Sequence, residues 1–202
     1  MKTYRSTREL LADVKQLLAG RDVYSRRVSP LDRVVEALYE GRHYFWIGIY
    51  LVVGERVVRQ VFRGPVPPCH SFALGKGNVG TTGQAGVVKV VPDVTADPTY
   101  SMCFVETKSE IVVPVKISGR IVGVIDVESD QLDAFGRHDQ IFLELVAKEL
   151  ARFLTSRGKY LVRHAREKEA AETASKTPQE RGAQPASERP ERMRAAVGTR
   201  TH

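Results

Sequence analysis

The chain has 202 residues, 42% of them hydrophobic, which is enough for one domain with a single hydrophobic core. Its net charge of +7 is uneven: residues 157–202 carry +5, so the first 156 residues are nearly neutral and lack the basic footprint of a nucleic-acid-binding protein. The start of the chain has no signal-like apolar segment, and no stretch reaches the roughly 18 apolar residues of a membrane span. We therefore expect a cytoplasmic protein.

Two amphipathic helices are predicted first. Ser6 lies three residues before Glu9, which is the spacing of a capping box, and apolar residues then recur at helical intervals up to Gly20. A second helix is predicted from Ser29-Pro30, where serine can cap and proline suits the first turn, to Gly41. Each helix has one apolar face and should pack against a sheet.

The sheet is predicted from aromatic and β-branched segments. Two hairpins and one short strand are expected, at residues 44–53 with 55–63, at 87–91, and at 110–118 with 121–129. Between the hairpins, the glycine-rich residues 75–80 predict backbone bends. This segment lacks the Gly-Lys-Ser/Thr ending of a P-loop, so phosphate binding is not expected there.

A final amphipathic helix is predicted from Arg137 to a boundary at Gly158. Beyond about residue 165 the chain has almost no large apolar residues, and such a composition favours disorder. The predicted organisation is one α+β domain over residues 1–158 and a charged, mostly disordered extension over 159–202.

The order of these elements over roughly residues 5–156 resembles the GAF fold, a layered α+β domain with a central antiparallel sheet flanked by helices. The local motifs resemble one GAF subfamily, the free methionine-R-sulfoxide reductases. They are residues 46–50 (WIGIY), Cys69 six residues before Gly75, residues 91–93 (VPD), Cys103 followed by residues 109–114 (SEIVVP), and residues 123–129 (GVIDVES). The chain departs from the family pattern at three positions, with Val79 in place of a third cysteine, Phe104 in place of an acidic residue and Glu128 in place of an aspartate.

The resemblance implies thiol chemistry without a bound cofactor. Cys103 would attack the sulfoxide sulfur, and Cys69 would condense with the resulting sulfenic acid to form a disulfide. A thioredoxin-like dithiol would then restore both thiols. The alternative is that each cysteine is a small buried hydrophobe, although both fall in predicted loops.

The same resemblance implies a site for free methionine sulfoxide. Asp126 and Glu128 are two residues apart in a predicted strand and so share one face. They would hold the substrate ammonium and, together with Glu110, the protonated sulfoxide oxygen. Trp46 and Tyr50 would form an aromatic wall beside the substrate. The alternatives are carboxylates at exposed strand ends and aromatic residues in ordinary core packing.

Other functions remain open at this point. His43, His70 and Cys69 have no paired metal-ligand spacing, so no metal site is expected. The second hypothesis, in place of a reductase, is a non-catalytic GAF module that binds a small molecule for sensing. A scaffold that forms a homodimer through its terminal helices is the third alternative.

Overall fold

The computed structural model describes residues 4–20 and 28–156. The described residues form a layered α+β domain, as predicted. The helices are α1 (Thr7–Ala19), α2 (Pro30–Gly41), α3 (Gly77–Ala85) and α4 (Arg137–Ser156), with one 3₁₀ turn at Val94–Ala96. The strands are β1 (Trp46–Val53), β2 (Arg56–Arg63), β3 (Ser71–Ala73), β4 (Lys89–Val91), β5 (Ser109–Ile117) and β6 (Arg120–Ser129).

The strands form one antiparallel sheet in the order β3-β2-β1-β6-β5-β4. Both predicted hairpins are present, and they meet at the centre of the sheet, where β1 pairs with β6. In this register Glu128 lies opposite both Trp46 and Glu110. Because directly opposed residues share a face and side chains alternate along a strand, Asp126 projects from that face as well.

The opposite face of the sheet carries the main hydrophobic core under α1, α2 and α4. The predicted capping box of Ser6 with Glu9 is present, and Ser29, predicted only to cap, forms a second box with Asp32. The two boxes fix where α1 and α2 begin. Alternate residues of the central strands, such as Ile47 and Ile125, face α2 and α4, and α1 packs on those two helices. The helices therefore leave the face with the carboxylates to be covered by other segments.

That second face is covered by α3 and by the loops around it, which the sequence prediction treated as irregular backbone. The backbone does bend at Gly75 and Gly77, where φ is positive, but the prediction missed α3 because the later glycines serve close packing. A Cβ at Gly80 would overlap the carbonyl oxygen of Ala73, and a Cβ at Gly83 would lie 2.7 Å from a Val57 methyl carbon. The small residues let α3 lie directly on β2 and β3.

Two predicted features of the C-terminal part fall outside the described residues. The last helix is described through Ser156, so its predicted boundary at Gly158 and the predicted disordered extension over 159–202 lie outside them. Within residues 4–20 and 28–156, no helix has both the length and the apolar character needed to cross a bilayer.

Candidate functional site

Three carboxyl groups are buried together on the sheet face beneath α3. Glu110, Asp126 and Glu128 are only 3%, 2% and 5% exposed, so they are not the exposed strand ends of the alternative interpretation. Asp126 lies on β6, which pairs with the strand of Glu110, and it is close enough for the charge of Glu110 to act on it. The buried hydroxyl of Thr107 donates a hydrogen bond to Oε2 of Glu128. The sheet register thus gathers three acidic groups in one low-dielectric site.

Burial favours the protonated form of these acids. Burial raises the pKa of Asp126 well above its ordinary value, and the charges of Glu110 and Glu128 raise it further. Burial and the neighbouring Glu110 raise the pKa of Glu128 to about 8. The pKa of Glu110 is raised by burial as well, although a hydrogen bond from Asn78 opposes the rise. The cluster therefore holds protons near neutral pH and can act as a general acid.

Trp46 is the central residue of an aromatic wall that lies next to the three carboxyl groups. Its indole lies over Gly48, where a Cβ would overlap the ring. Tyr50, Phe62 and Phe104 surround the indole, with ring centroids 6.4, 6.1 and 6.0 Å from it. Phe104 belongs to this wall and occupies the position after Cys103 that is typically acidic in the resembled family.

Two buried polar atoms of the site lack a partner. Within the described ranges, neither the indole Nε1 of Trp46 nor Oδ1 of Asp126 has a hydrogen-bond partner. Buried donors and acceptors in folded proteins are nearly always paired. This donor and this acceptor are therefore candidates for contact with the polar groups of a ligand.

Cys69 and Cys103 form a disulfide, with α-carbons 5.8 Å apart. Both lie in loops, as predicted, with Cys69 just ahead of β3 and Cys103 ahead of β5. Cys103 packs against the cluster that contains Trp46, Tyr50 and Phe104. The cysteine pair therefore adjoins the aromatic wall.

Arg59 holds the Cys69 loop in place. Its guanidinium donates a hydrogen bond to the Cys69 carbonyl oxygen at 2.5 Å, and its backbone N–H donates to the His70 carbonyl oxygen at 3.0 Å. The same guanidinium lies over the Phe62 ring of the aromatic wall, with Cζ 4.7 Å from the ring centroid. Arg59 thus links the loop of one cysteine to the aromatic wall.

A second polar connection runs from the sheet edge to the acids. Nζ of Lys89 donates to Oδ1 of Asn78 at 2.6 Å and forms an ion pair with Asp97 at 2.8 Å. Nδ2 of Asn78 donates to Oε2 of Glu110 at 2.5 Å. Asn78 is 2% exposed, so this chain connects a half-buried cation to a fully buried carboxyl group.

The sequence analysis missed four of these contributing residues: Asn78, Arg59, Lys89 and Thr107. Only Asn78 gave a usable signal, since it is a polar amide beside valine and glycines in a run that proved to be a largely buried helix. The contacts of Arg59, Lys89 and Thr107 join segments that are distant in the chain. The structure does bring together all seven residues predicted for the site, in the carboxyl cluster, the aromatic wall and the cysteine pair that packs on it.

A metal centre was not expected from the sequence. Among the described residues, no group of three or more His, Cys, Asp or Glu side chains is arranged to hold a metal ion. His43 stacks on the ring of Tyr4 instead, with centroids 5.3 Å apart.

The comparisons with known proteins agree with this architecture. The model of the GAF domain matches residues 26–154. GAF domain-containing protein A of Dictyostelium discoideum is 37% identical over 142 residues, 70% of this chain and 87% of that protein. Free methionine-R-sulfoxide reductase of Escherichia coli is 27% identical over 149 residues, 73% of this chain and 88% of that protein.

Among solved structures, the chain is similar to the free methionine-R-sulfoxide reductase of Neisseria meningitidis in complex with its substrate. The two superpose with a TM-score of 0.71 at 28% sequence identity, covering 79% of this chain and 98% of the other. The matched fold and the matched relatives lead to the same assignment. The chain belongs to the GAF domain family and is related to the free methionine-R-sulfoxide reductases.

Proposed function

We propose that the protein reduces free methionine-R-sulfoxide to methionine with Cys103 as nucleophile and Cys69 as resolving thiol. The observation that carries this proposal is the Cys69–Cys103 disulfide packed against a buried aromatic and carboxyl site. The disulfide corresponds to the oxidised state that follows a turnover. Neither thiol chemistry nor acid catalysis alone would need both parts in one place.

The reaction balances with the two cysteines and one external dithiol. The Cys103 thiolate attacks the sulfoxide sulfur as the oxygen is protonated, and oxygen is transferred to the Cys103 sulfur. The substrate S–O bond breaks, Cys103 is oxidised to a sulfenic acid, and the substrate leaves as the thioether methionine. The Cys69 thiol then attacks the sulfenic sulfur, which forms the disulfide and releases water. A thioredoxin-like dithiol reduces the disulfide, and no bound cofactor takes part.

The carboxyl cluster supplies two functions in this scheme. A protonated carboxyl group donates to the sulfoxide oxygen, and the raised pKa values of Asp126 and Glu128 support that role. The cluster also supplies ionised carboxylates, Glu110 among them, that bind the substrate ammonium. Trp46 and Tyr50 contact the methyl and methylene groups, and the unpaired Nε1 of Trp46 can donate to a substrate oxygen. We place the reaction in the cytoplasm, where dithiol reductants are available.

One observation favours a second candidate, a non-catalytic GAF module that binds a small molecule. Phe104 packs on Trp46 and lies edge-on to Phe45, with centroids 5.6 Å apart. An aromatic ring directly after the nucleophile replaces an acidic group of the resembled family and makes this side of the site apolar. In this alternative the disulfide only secures the loops around a ligand.

Thioredoxin-coupled consumption of reduced nicotinamide with free L-methionine-R-sulfoxide tests the proposal. The wild type should turn over, Cys103→Ser should be inactive, and Cys69→Ser should be impaired in steady state while the reduced protein still yields one methionine per chain. Met102→Leu, at an exposed neighbour of Cys103, is the matched control and should behave like the wild type. A folded, reduced wild type without turnover would reject the reductase and leave the binding module.

A further inference from the structure

Lys89 occupies a position from which it can control the acid cluster without touching it. It lies on the short edge strand β4, and its ammonium contacts Oδ1 of Asn78, a carboxylate oxygen of Asp97 and the hydroxyl of Thr99. Asp97 and Thr99 belong to the segment that leads to Cys103. One cation therefore joins the edge of the sheet, helix α3 and the loop of the nucleophile.

These contacts fix the orientation of the Asn78 amide. Its Oδ1 accepts from Lys89 at 2.6 Å and from the Thr99 hydroxyl at 3.0 Å. An ammonium can only donate, so the carbonyl end of the amide must face Lys89 and the NH₂ end must face Glu110. The 2.5 Å contact from Nδ2 then requires Oε2 of Glu110 to be an acceptor. A flipped amide would leave the ammonium facing two donor hydrogens.

This orientation has a consequence for the pair of Glu110 and Asp126. Both carboxyl groups are buried, and burial raises the pKa of each, with the charge of Glu110 raising the pKa of Asp126 further, so the pair holds a proton. Oε2 of Glu110 is committed to accept from Asn78, and the positive charge of Lys89 stabilises Glu110 as a carboxylate. Either carboxyl group could carry the proton and leave Oε2 of Glu110 an acceptor, but the charge of Lys89 favours the arrangement with Glu110 ionised and the proton on Asp126.

Other ionisable groups also act on this pair. Glu128 lies beside it on β6, Tyr50 faces it from β1 and Tyr100 from the loop, and Asp97 opposes the effect of Lys89. These neighbours are neutral or anionic and disfavour further negative charge on the pair. Lys89 is the cation of this set, which makes its charge the effective control on where the proton resides.

We infer that Lys89 is a positioning residue that, through Asn78, keeps Glu110 a hydrogen-bond acceptor and leaves the transferable proton on Asp126. As a statement about catalysis, this inference rests on the proposed function. It identifies Asp126 as the proton donor to the sulfoxide oxygen and Glu110 as the ionised partner. Removal of Lys89 should therefore redistribute the proton rather than simply weaken the fold.

The test compares Lys89→Met with Lys89→Arg, which retains the charge, and with Lys116→Met, which removes an exposed lysine from β5. The pH profile of kcat/KM is the first readout. Without the cation the acid loses its proton less readily, so the basic limb of Lys89→Met should move upward by about one pH unit, with a several-fold lower kcat. Lys89→Arg and Lys116→Met should keep the wild-type limb. A folded Lys89→Met enzyme with an unmoved limb would overturn the inference.

A second readout does not depend on turnover. Carbon-13 NMR of the carboxyl groups in the reduced protein follows the titration of Asp126 and Glu110 directly. In Lys89→Met both should titrate at higher pH than in the wild type, and unchanged titration would overturn the inference even if the protein proved inactive. If the wild type shows no turnover but the carboxyl groups of Lys89→Met titrate at higher pH as expected, the proposed function is rejected and the proton assignment is retained. Lys89→Gln removes the same charge with a polar side chain and replaces Lys89→Met if that variant does not fold.

Discussion

Glu128→Gln should stabilise the folded protein at alkaline pH and leave its stability nearly unchanged in acid. Burial and the neighbouring Glu110 raise the pKa of Glu128 from an ordinary 4.5 to about 8. A group whose pKa is raised by folding favours the folded state while protonated, and that contribution is lost as pH rises through the folded pKa. The wild type should therefore lose stability between about pH 4.5 and pH 8, and the uncharged amide should not.

The size of the effect follows from the separation of the two pKa values. One pH unit corresponds to about 1.4 kcal/mol, so a separation of roughly 3.5 units gives a limit of about 5 kcal/mol. Asp126 and Glu110 ionise more readily once Glu128 is neutral, which offsets part of the gain. We expect Glu128→Gln to be more stable than the wild type by about 2 to 4 kcal/mol above pH 8. The glutamine carbonyl can still accept from Thr107, so the difference below pH 5 should be within about 1 kcal/mol.

Urea unfolding of the oxidised protein at intervals from pH 5 to pH 9 measures this difference. Glu106→Gln, at an exposed carboxylate, is the control and should follow the wild type closely across the range. A stability difference for Glu128→Gln that does not change with pH would refute the reasoning. It would mean that Glu128 is ionised in the folded protein throughout, with its charge compensated.

Two further predictions concern the disulfide and the aromatic wall. Reduction should lower the free energy of unfolding by about 4 kcal/mol, because the disulfide closes a loop with a sequence separation of 34. In the double variant Cys69→Ser/Cys103→Ser, urea unfolding should be insensitive to reductant. Equal stability of the oxidised and reduced wild type would contradict this prediction. Gly48→Ala should lower the free energy of unfolding by about 1 to 3 kcal/mol in the same assay, because the added Cβ would overlap the Trp46 ring. Gly136 has open space around it, so Gly136→Ala should change the stability little. Equal losses in both variants would count against the packing explanation.

The frame of the fold and most of the site could be predicted because their signals are local. Capping boxes, helical periodicity and β-branched hairpins are all present within single segments. The period of two along β6 sufficed to put Asp126 and Glu128 on one face, and the same rule applies to Trp46 and Tyr50 on β1. Whether Asp126 and Glu128 lie near Glu110 depends on the register of β5 against β6. The family resemblance implied this proximity, and the pairing of the two strands gives the register.

The cover of the site could not be predicted because its signals are tertiary. Helix α3 contains three glycines and ends at a fourth, Gly86, a composition with poor helix propensity. Its stability comes from close contact with β2 and β3, which only small residues allow, and the same small residues look like a loop in sequence. Lys89 and Arg59 gave no sign of their roles, since each acts through contacts with residues remote in the chain or with backbone atoms.

The disulfide divides the described chain into two classes of segment. Every regular element between Cys69 and Cys103, namely β3, α3, β4 and the 3₁₀ turn, belongs to the part that covers the acids or borders it, while the central strands and the core helices lie outside that covalent ring. Opening the ring releases only the inner segments from a constraint. Reduction should accordingly raise amide hydrogen exchange in α3 and β4 far more than in β1 and β6, so that redox state controls access to the carboxyl groups while the supporting frame stays closed.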